Sequence, residues 1–167
     1  MDSLNVPVPP AVERVADGLA PSLAGFAERP PRTLVLKRLD GVERHRARER
    51  VRRALSGAAP VTARVERVGV FRDPPLGSAP VVYLAVESPG LATLHRRLCE
   101  HVDPVAGVEG EAYVPHVTVA RGWETEHARP PVDDLAGRSV GPVEWTVTEL
   151  RFHDTDRGPG GTVALSG

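Results

Sequence analysis

The spacing of apolar residues along the chain predicts strands and helices in alternation. Leu4, Val6 and Val8 alternate with less apolar residues, which is typical of a strand with one buried face. Apolar residues then recur at helical spacing over residues 9–27, and Pro21 in the interior is expected to kink or split that helix. The same reasoning predicts strands at 32–39, 61–71, 81–86, 114–120, 143–152 and 162–165, helices at 42–55 and 88–102, at most a short helix at 130–136, and a turn at 158–161.

The order of these elements indicates an α+β fold. A strand, a helix and a second strand occur in residues 3–39 and again in residues 81–120, and a proline-containing segment precedes each second strand. Other predicted strands follow one another directly, so we expect antiparallel hairpins with the helices on the outside of the sheets. A chain of 167 residues fits one compact domain or two closely packed lobes, and we interpret residues 1–167 as a single domain.

The composition limits how a ligand would be attracted. The chain is 41% apolar and 26% charged, and its net charge is -1, so no overall field draws in nucleic acid and any RNA contact must be local. Lys37 is the only lysine, and the other basic residues are arginines, whose planar guanidinium suits phosphate. Cys99 stands alone, which excludes an intramolecular disulfide and a thiolate metal site.

The sequence also bears on location. Residues 1–5 lack the basic stretch and long apolar run of a signal peptide. No apolar stretch approaches the ~20 residues needed to cross a bilayer. We therefore expect a cytoplasmic protein that makes no membrane contact and is a monomer.

The segment with the clearest chemistry is YVPHVTVAR at residues 113–121. On a strand, side chains at i and i+2 project from the same face, so His116 and Thr118 point together while Val117 points to the opposite side. The hydroxyl can donate to a phosphoryl oxygen, and the imidazole can give or take a proton near neutral pH. The pair is therefore a candidate phosphate site, although such a strand also occurs by chance for structural reasons alone.

The surroundings of this segment resemble the 2H phosphoesterase (2′-5′ RNA ligase-like) superfamily, named for two His-x-Thr/Ser-x motifs. PHVTVAR at 115–121 is similar to the second motif of that family, which is commonly written Pro-His-x-Thr-Leu-Ala-Arg. VGVFRDP at 68–74, the run at 81–98 and the stretch at 143–155 also look like the family pattern. The resemblance thus spans nearly the whole chain and includes the order of strands and helices.

The resemblance implies a fold, a chemistry and a set of partners. Members of the family have two similar lobes related by a pseudo-twofold axis, and each lobe supplies one motif to a central cleft. They act without a metal on phosphodiesters such as RNA ends, 2′,3′-cyclic phosphates and 2′-5′ linkages. By resemblance, His116 is one acid–base histidine and Thr118 is a phosphate-binding hydroxyl. No cofactor is expected, and the expected partner is an RNA end or a small nucleotide phosphodiester.

The first motif of the family is degenerate in this chain, because RPPRTLVLKR at 29–38 contains no histidine. If threonine is matched to threonine, Thr33 is the retained hydroxyl and Pro31 stands at the histidine position. If the preceding prolines are matched instead, Arg32 stands at the histidine position and Leu34 at the threonine position. The first register is favoured, because Thr-Leu is the commoner string in the family, but the spacing between the motifs does not decide.

Loss of one histidine removes either a base or an acid, each of which contributes roughly 10²–10⁴-fold to a rate. Arginine cannot replace it because it stays protonated, but Arg32 could hold a phosphate with two hydrogen bonds. Lys37 and Arg121 are expected at the edge of the cleft. Alternation puts Arg121 on the strand face opposite His116, so its participation requires a bulge or a strand end. His153 is the one other histidine that could stand in.

Three functions remain open at this point. The leading hypothesis is a metal-independent phosphodiesterase in which His116 transfers the proton and Thr118, Thr33 and Arg32 hold the phosphate. The second is a module that binds RNA ends or nucleotides without turning them over, and the third is a structural protein with an empty cleft. The basic run at 43–53 is either a solvated helix with ion pairs or a local patch for an RNA backbone.

Overall fold

The computed structural model describes residues 2–167, which form nine strands and three helices, together with short 3-10 turns. The strands are β1 (Asp2–Val6), β2 (Phe26–Glu28), β3 (Leu34–Arg38), β4 (Val61–Phe71), β5 (Val81–Glu87), β6 (His116–Trp123), β7 (Ser139–Val147), β8 (Glu149–Asp154) and β9 (Gly158–Ala164). The helices are α1 (Pro10–Asp17), α2 (Arg44–Ala54) and α3 (Pro89–Cys99), and the 3-10 turns are Ala20–Leu23 and Gly110–Ala112.

The strands form two antiparallel sheets with the same internal plan. The first sheet has the order β3-β1-β8-β9, and the second sheet has the order β2-β6-β5-β4-β7. Read from β3 and from β6, the strands correspond one to one: β3 with β6, β1 with β5, β8 with β4, and β9 with β7. Only β2 lacks a counterpart, at the edge of the second sheet. The α+β fold with two pseudo-symmetric lobes predicted from the sequence is therefore confirmed.

Each helix packs one apolar face against the sheets. In α3, Leu91 and Leu98 are fully buried, and the Ser88 hydroxyl caps the helix by accepting the Leu91 N–H at 3.1 Å. In α2, Val51 is buried among arginines that face outward, and Glu43 caps the first turn. Among residues 2–167, no helix is both long enough and apolar enough to cross a membrane.

The structure corrects three of the predicted elements. The helix expected over residues 9–27 ends at Asp17, and the chain after Pro21 turns into the short strand β2. The strand expected at 143–152 is two strands, β7 and β8, which belong to different sheets and are separated at Thr148. The glycines at 158–161 belong to β9 instead of a turn. The segment 130–136, where at most a short helix was expected, forms turns.

Candidate active site

A cavity opens between β3 of the first sheet and β6 of the second sheet. Val35 and Arg38 line it from β3, and His116 and Arg121 line it from β6. The rest of the lining comes from the end of β4 and from two loops, and comprises Phe71, Pro74, Pro75, Leu76, Gly107, Val108, Glu109, Ala112, Tyr113 and Val114. The histidine of the intact motif therefore shares its cavity with one arginine from each sheet.

Arg121 reaches this cavity because β6 contains a bulge. The pairing of β6 with β5 runs evenly from His116 to Thr118, then skips Val119 before it continues to Arg121. One extra residue reverses the alternation of side chains, so Arg121 projects on the face of His116 and not on the opposite face. From the sequence, Arg121 could share the face of His116 only if the strand contained a bulge or ended there. The structure contains this bulge.

A bulge in β3 has the same effect, and it corrects the expectation for Lys37. The pairing of β3 with β1 skips Leu36, so Arg38 shares the cavity face with Val35. Lys37 is fully buried instead, and its ammonium donates to Glu109 Oε2 at 2.6 Å. The expectation that Lys37 edges the cleft was therefore wrong, because simple alternation does not hold past the bulge.

The two bulges also align the two motif strands. The skipped residues are 83 positions apart (119 − 36), and this offset equates Arg121 with Arg38, which line the same cavity. It equates Thr118 with Val35 and places Thr33 at the position of the missing histidine. We propose this register in addition to the two read from the sequence, which put Pro31 or Arg32 there. In the proposed register, this lobe has neither the histidine nor the hydroxyl of the motif.

His116 is held in a single tautomer. Its Nδ1 donates to the carbonyl oxygen of Val114 at 2.7 Å, since a carbonyl can only accept. In the neutral ring, Nε2 therefore carries no proton and is free to accept one. The orientation of His116 is that of a general base.

The surroundings of His116 favour its neutral form. Burial lowers the pKa of His116 below its ordinary value, and the positive charges of Arg121 and Arg38 lower this pKa further, while the hydrogen bond to Val114 acts in the opposite direction. Burial also lowers the pKa of Arg121, with contributions from the charges of Arg38 and Arg29. The cavity is thus a region of positive potential around an uncharged imidazole.

Two aromatic rings fix the imidazole from the side. Phe71 and Tyr83 stack at 4.2 Å, and each meets the His116 ring edge-on, with centroids 5.1 and 5.2 Å away. Gly69 lies opposite Tyr83 on β4, and a Cβ atom there would overlap the Tyr83 ring. A glycine at this position leaves the room that the Tyr83 ring occupies.

Arg121 also fastens the loop over the cavity. Its Nη1 donates to the carbonyl oxygen of Leu76 at 2.6 Å. The next residue, Gly77, has φ +76°, which suits glycine, and a Cβ atom there would lie 2.5 Å from Arg121 Nη1. The loop backbone therefore closes directly onto the guanidinium.

The remaining residues predicted for the site lie outside the cavity lining. Thr118 is half-buried on the face of His116, opposite Tyr83. Thr33 precedes β3 and is half-buried. Arg32 points to α1, where its guanidinium pairs with Glu13 at 2.7 Å and Asp17 at 2.8 Å. The structure thus gives no support to Arg32 as a phosphate contact, because two carboxylates hold it elsewhere.

A buried network ties the two lobes together beneath the cavity. Glu109 accepts hydrogen bonds from the Lys37 ammonium and from the backbone N–H groups of Arg38 (2.6 Å) and Val105 (2.9 Å). On α3, buried His95 donates from Nδ1 to the Leu36 carbonyl oxygen at 2.7 Å. Burial lowers the pKa of His95, so this ring is also neutral. The network holds β3, and with it Arg38, against the second lobe.

Tyr113 belongs to the same network. Its ring stacks on His95 at 3.8 Å, and its hydroxyl donates to the Val35 carbonyl oxygen at 2.9 Å. Burial raises the pKa of Tyr113 well above its ordinary value. The hydroxyl is consequently a fixed neutral donor and not a proton donor for a reaction at neutral pH.

The other candidates of the sequence lie away from the cavity. His153 is on β8 and pairs with Ser3 in the first sheet, so the structure does not support it as a substitute base. In the basic helix, the guanidinium of Arg48 lies over the Phe152 ring, and Arg44 pairs with Asp154. Among residues 2–167, no group of three or more His, Cys, Asp and Glu side chains is placed to hold a metal ion.

A sequence profile of the 2′-5′ RNA ligase superfamily matches residues 22–159. The chain belongs to the 2′-5′ RNA ligase superfamily. No curated protein matches the chain. The matched residues include both motif strands, β3 and β6, although the first motif is degenerate.

Solved structures share the fold over almost the full chain. The protein TT0787 of Thermus thermophilus is 22% identical with a TM-score of 0.61, covering 99% of this chain and 98% of that one. A phosphoesterase is 17% identical with a TM-score of 0.66, covering 99% and 98%. LigT of E. coli in its apo form is 17% identical with a TM-score of 0.69, covering 99% and 97%. At these identities the likeness establishes the fold.

Sequence reasoning missed Arg38, the aromatic pair Phe71 and Tyr83, and Glu109. Arg38 was missed because a bulge cannot be read from the alternation pattern of so short a strand. Phe71 lies in the VGVFRDP segment, which resembles the family pattern. This segment was the available signal for the aromatic pair beside His116. Glu109 lies in a loop with no distinguishing pattern.

Proposed function

We propose that the protein is a metal-independent phosphodiesterase that acts on a cyclic nucleotide phosphate or an RNA end, with His116 as its single proton-transfer group. The observation that carries the proposal is the orientation of His116, whose unprotonated Nε2 is available in a positively charged cavity. A general base in this state activates a hydroxyl or a water molecule for attack on phosphorus.

The reaction step is a proton transfer coupled to displacement at phosphorus. For a 2′,3′-cyclic phosphate, Nε2 of His116 takes a proton from water, the water oxygen bonds to phosphorus, and one ribose oxygen leaves. With no second acid–base side chain in the register found for β3, the leaving oxygen takes its proton from solvent. We therefore expect slow turnover, since a positioned acid is worth roughly 10²–10⁴-fold.

Arg121 and Thr118 support the binding of the phosphate. Arg121 lines the cavity, and its guanidinium can hold a phosphoryl oxygen while it fastens the loop at Leu76. Thr118 stands on the same face as His116 and would meet a ligand that extends along β6. LigT of E. coli has been solved in complex with 3′-AMP and with phosphate, which supports a nucleotide phosphate as the ligand here.

A second candidate function follows from Val35, which occupies the hydroxyl position of the first motif and lines the cavity. An aliphatic side chain there supplies neither a proton nor a hydrogen bond. This observation favours a module that binds RNA ends or nucleotides without turnover. For either function we propose a cytoplasmic monomer in which residues 1–167 form one domain.

The test is hydrolysis of 2′,3′-cyclic nucleotides and 2′-5′ dinucleotides in the presence of a metal chelator. His116→Ala is the test variant, and His45→Ala, which changes an exposed histidine on α2, is the matched control. We expect measurable turnover that falls roughly 10²–10⁴-fold in His116→Ala and is unchanged in His45→Ala.

Two outcomes would contradict the enzyme proposal. Equal turnover by wild type and His116→Ala would exclude His116 as the proton-transfer group. No turnover at all, with nucleotide binding that weakens in His116→Ala, would assign the chain to the binding module.

A further inference from the structure

Arg38 is a cationic residue of this cavity that neither the sequence pattern nor the family motif singles out. It follows the β3 bulge as Arg121 follows the β6 bulge, and both side chains line the cavity that contains His116. The degenerate lobe has thus lost the motif side chains but supplies a guanidinium at the position equivalent to that of Arg121.

The charges in the cavity are strongly one-sided. Arg38 and Arg121 are near enough to influence each other and His116 electrostatically. Glu109 is the one carboxylate in the lining, and it is engaged by the Lys37 ammonium and by two backbone N–H groups. A neutral histidine and two arginines therefore face the space that a ligand would occupy.

We propose that Arg38 and Arg121 together form a clamp for a terminal phosphate, so that the cavity prefers a nucleotide or RNA end carrying a 2′- or 3′-phosphomonoester over the cyclic phosphodiester. A phosphomonoester carries nearly two negative charges at neutral pH and has three oxygens free, whereas a cyclic diester carries one charge and has two free oxygens. Two guanidinium groups match the monoester in charge and in hydrogen-bonding capacity.

The position of Arg38 is fixed by contacts that do not depend on ligand. Its backbone N–H donates to Glu109 Oε1 at 2.6 Å, and the adjacent Lys37 is buried in the same network. The backbone on which the Arg38 side chain stands is therefore held between the lobes before a ligand arrives, which reduces the ordering cost of binding.

The inference rests on the proposed function in taking the cavity as a nucleotide phosphate site. Binding is measured by calorimetry at constant ionic strength near pH 7.5, with 3′-AMP, 2′,3′-cyclic AMP and adenosine as probes. The variants are Arg38→Gln, Arg38→Lys, and Arg50→Gln as a control that removes the same charge from the exposed face of α2.

We expect 3′-AMP to bind at least about tenfold more tightly than the cyclic nucleotide, since hydrogen bonds to charged groups have large effects. Arg38→Gln should weaken 3′-AMP binding about tenfold and the cyclic nucleotide by about threefold or less. Arg38→Lys keeps the charge without the planar guanidinium, so its affinity for 3′-AMP should lie between those of wild type and Arg38→Gln. Arg50→Gln should bind 3′-AMP as tightly as wild type does.

Equal affinities for the monoester and the cyclic diester would overturn the inference, as would an Arg38→Gln variant that keeps the wild-type preference. If Arg38→Gln does not fold, as judged by circular dichroism, the Arg38→Lys comparison decides alone. Turnover of cyclic nucleotides without a monoester preference would overturn this inference and leave the proposed function standing. A monoester preference without turnover would support this inference and overturn the proposed enzymatic function.

Discussion

At the scale of single residues, the state of His116 decides what the cavity can do. The Val114 carbonyl fixes the proton on Nδ1, and burial with two nearby arginines keeps the ring uncharged. A neutral imidazole can take a proton but has none to give from Nε2. The site can therefore activate the nucleophile by taking its proton. No side chain of β3 is placed to donate a proton to the leaving oxygen.

The pH dependence of turnover follows from this state. Activity requires neutral His116, so the rate rises with pH through the pKa of His116 and is constant above it. Since that pKa is lowered, the acid limb should lie below the value of about 6.5 for an ordinary histidine. Measurement of kcat/KM between about pH 4.5 and 8 checks this position.

Arg38→Gln tests whether the charge of Arg38 sets the position of this acid limb in the pH profile. Removal of a positive charge makes protonation of His116 easier, so its pKa rises and the acid limb should move to higher pH. Arg50→Gln on α2 should leave the limb in place. A limb that stays fixed in Arg38→Gln would show that the Arg38 charge does not act on His116.

At the scale of elements, the bulges and the buried network hold the motif strands in place. The Lys37–Glu109 ion pair is buried, and Glu109 also accepts hydrogen bonds from two backbone N–H groups. Such a pair is costly to break from one side, because the remaining charge stays buried without compensation. The pair therefore acts on stability and on the placement of Arg38, and it takes no part in the proton transfer.

Lys37→Met should lower the free energy of unfolding by about 3–5 kcal/mol, because it leaves the Glu109 carboxylate buried without its ammonium. Lys37→Met/Glu109→Gln should recover part of this loss, since no charge then remains. Recovery should be incomplete, because a neutral amide is a weaker acceptor for the two N–H groups. Urea denaturation of the three proteins measures both effects, and a single variant as stable as wild type would contradict the argument.

These elements also show what the sequence could predict. The strand at 61–71 and the motif strand around His116 followed from apolar alternation and from the local PHVTVAR segment, which are local signals. The bulges at Leu36 and Val119 depend on pairing with other strands, so the exchange of Lys37 for Arg38 in the cavity could not be foreseen. The division of 143–152 between two sheets is likewise a matter of tertiary pairing, because both halves are apolar enough to be strand.

At the scale of the whole molecule, the two lobes differ in chemistry while they share a plan. In the proposed register, His116 and Thr118 of one lobe correspond to Thr33, just before β3, and to Val35 of the other lobe. The pseudo-symmetric frame therefore still contains the positions at which a second motif would stand. If the register set by the bulges is right, those positions should accept the missing side chains.

Thr33→His/Val35→Thr should rebuild the first motif and raise the turnover of 2′,3′-cyclic nucleotides by roughly 10²–10⁴-fold, because it supplies the absent acid. Arg32→His is the matched control, since it installs a histidine in one of the registers read from the sequence, where Glu13 and Asp17 hold the native side chain. Equal gains in both variants, or a gain in Arg32→His alone, would contradict the register.

The order of the strands in the two sheets has a consequence for how the chain folds. All five strands of the second sheet lie within residues 26–147, whereas the first sheet also needs β8, which lies between β1 and β9. The second sheet can therefore form in a folding intermediate in which β1 still has an open edge. Such an edge is prone to pairing with other chains until it is covered. Pairing of β8 with β1 thus covers this edge.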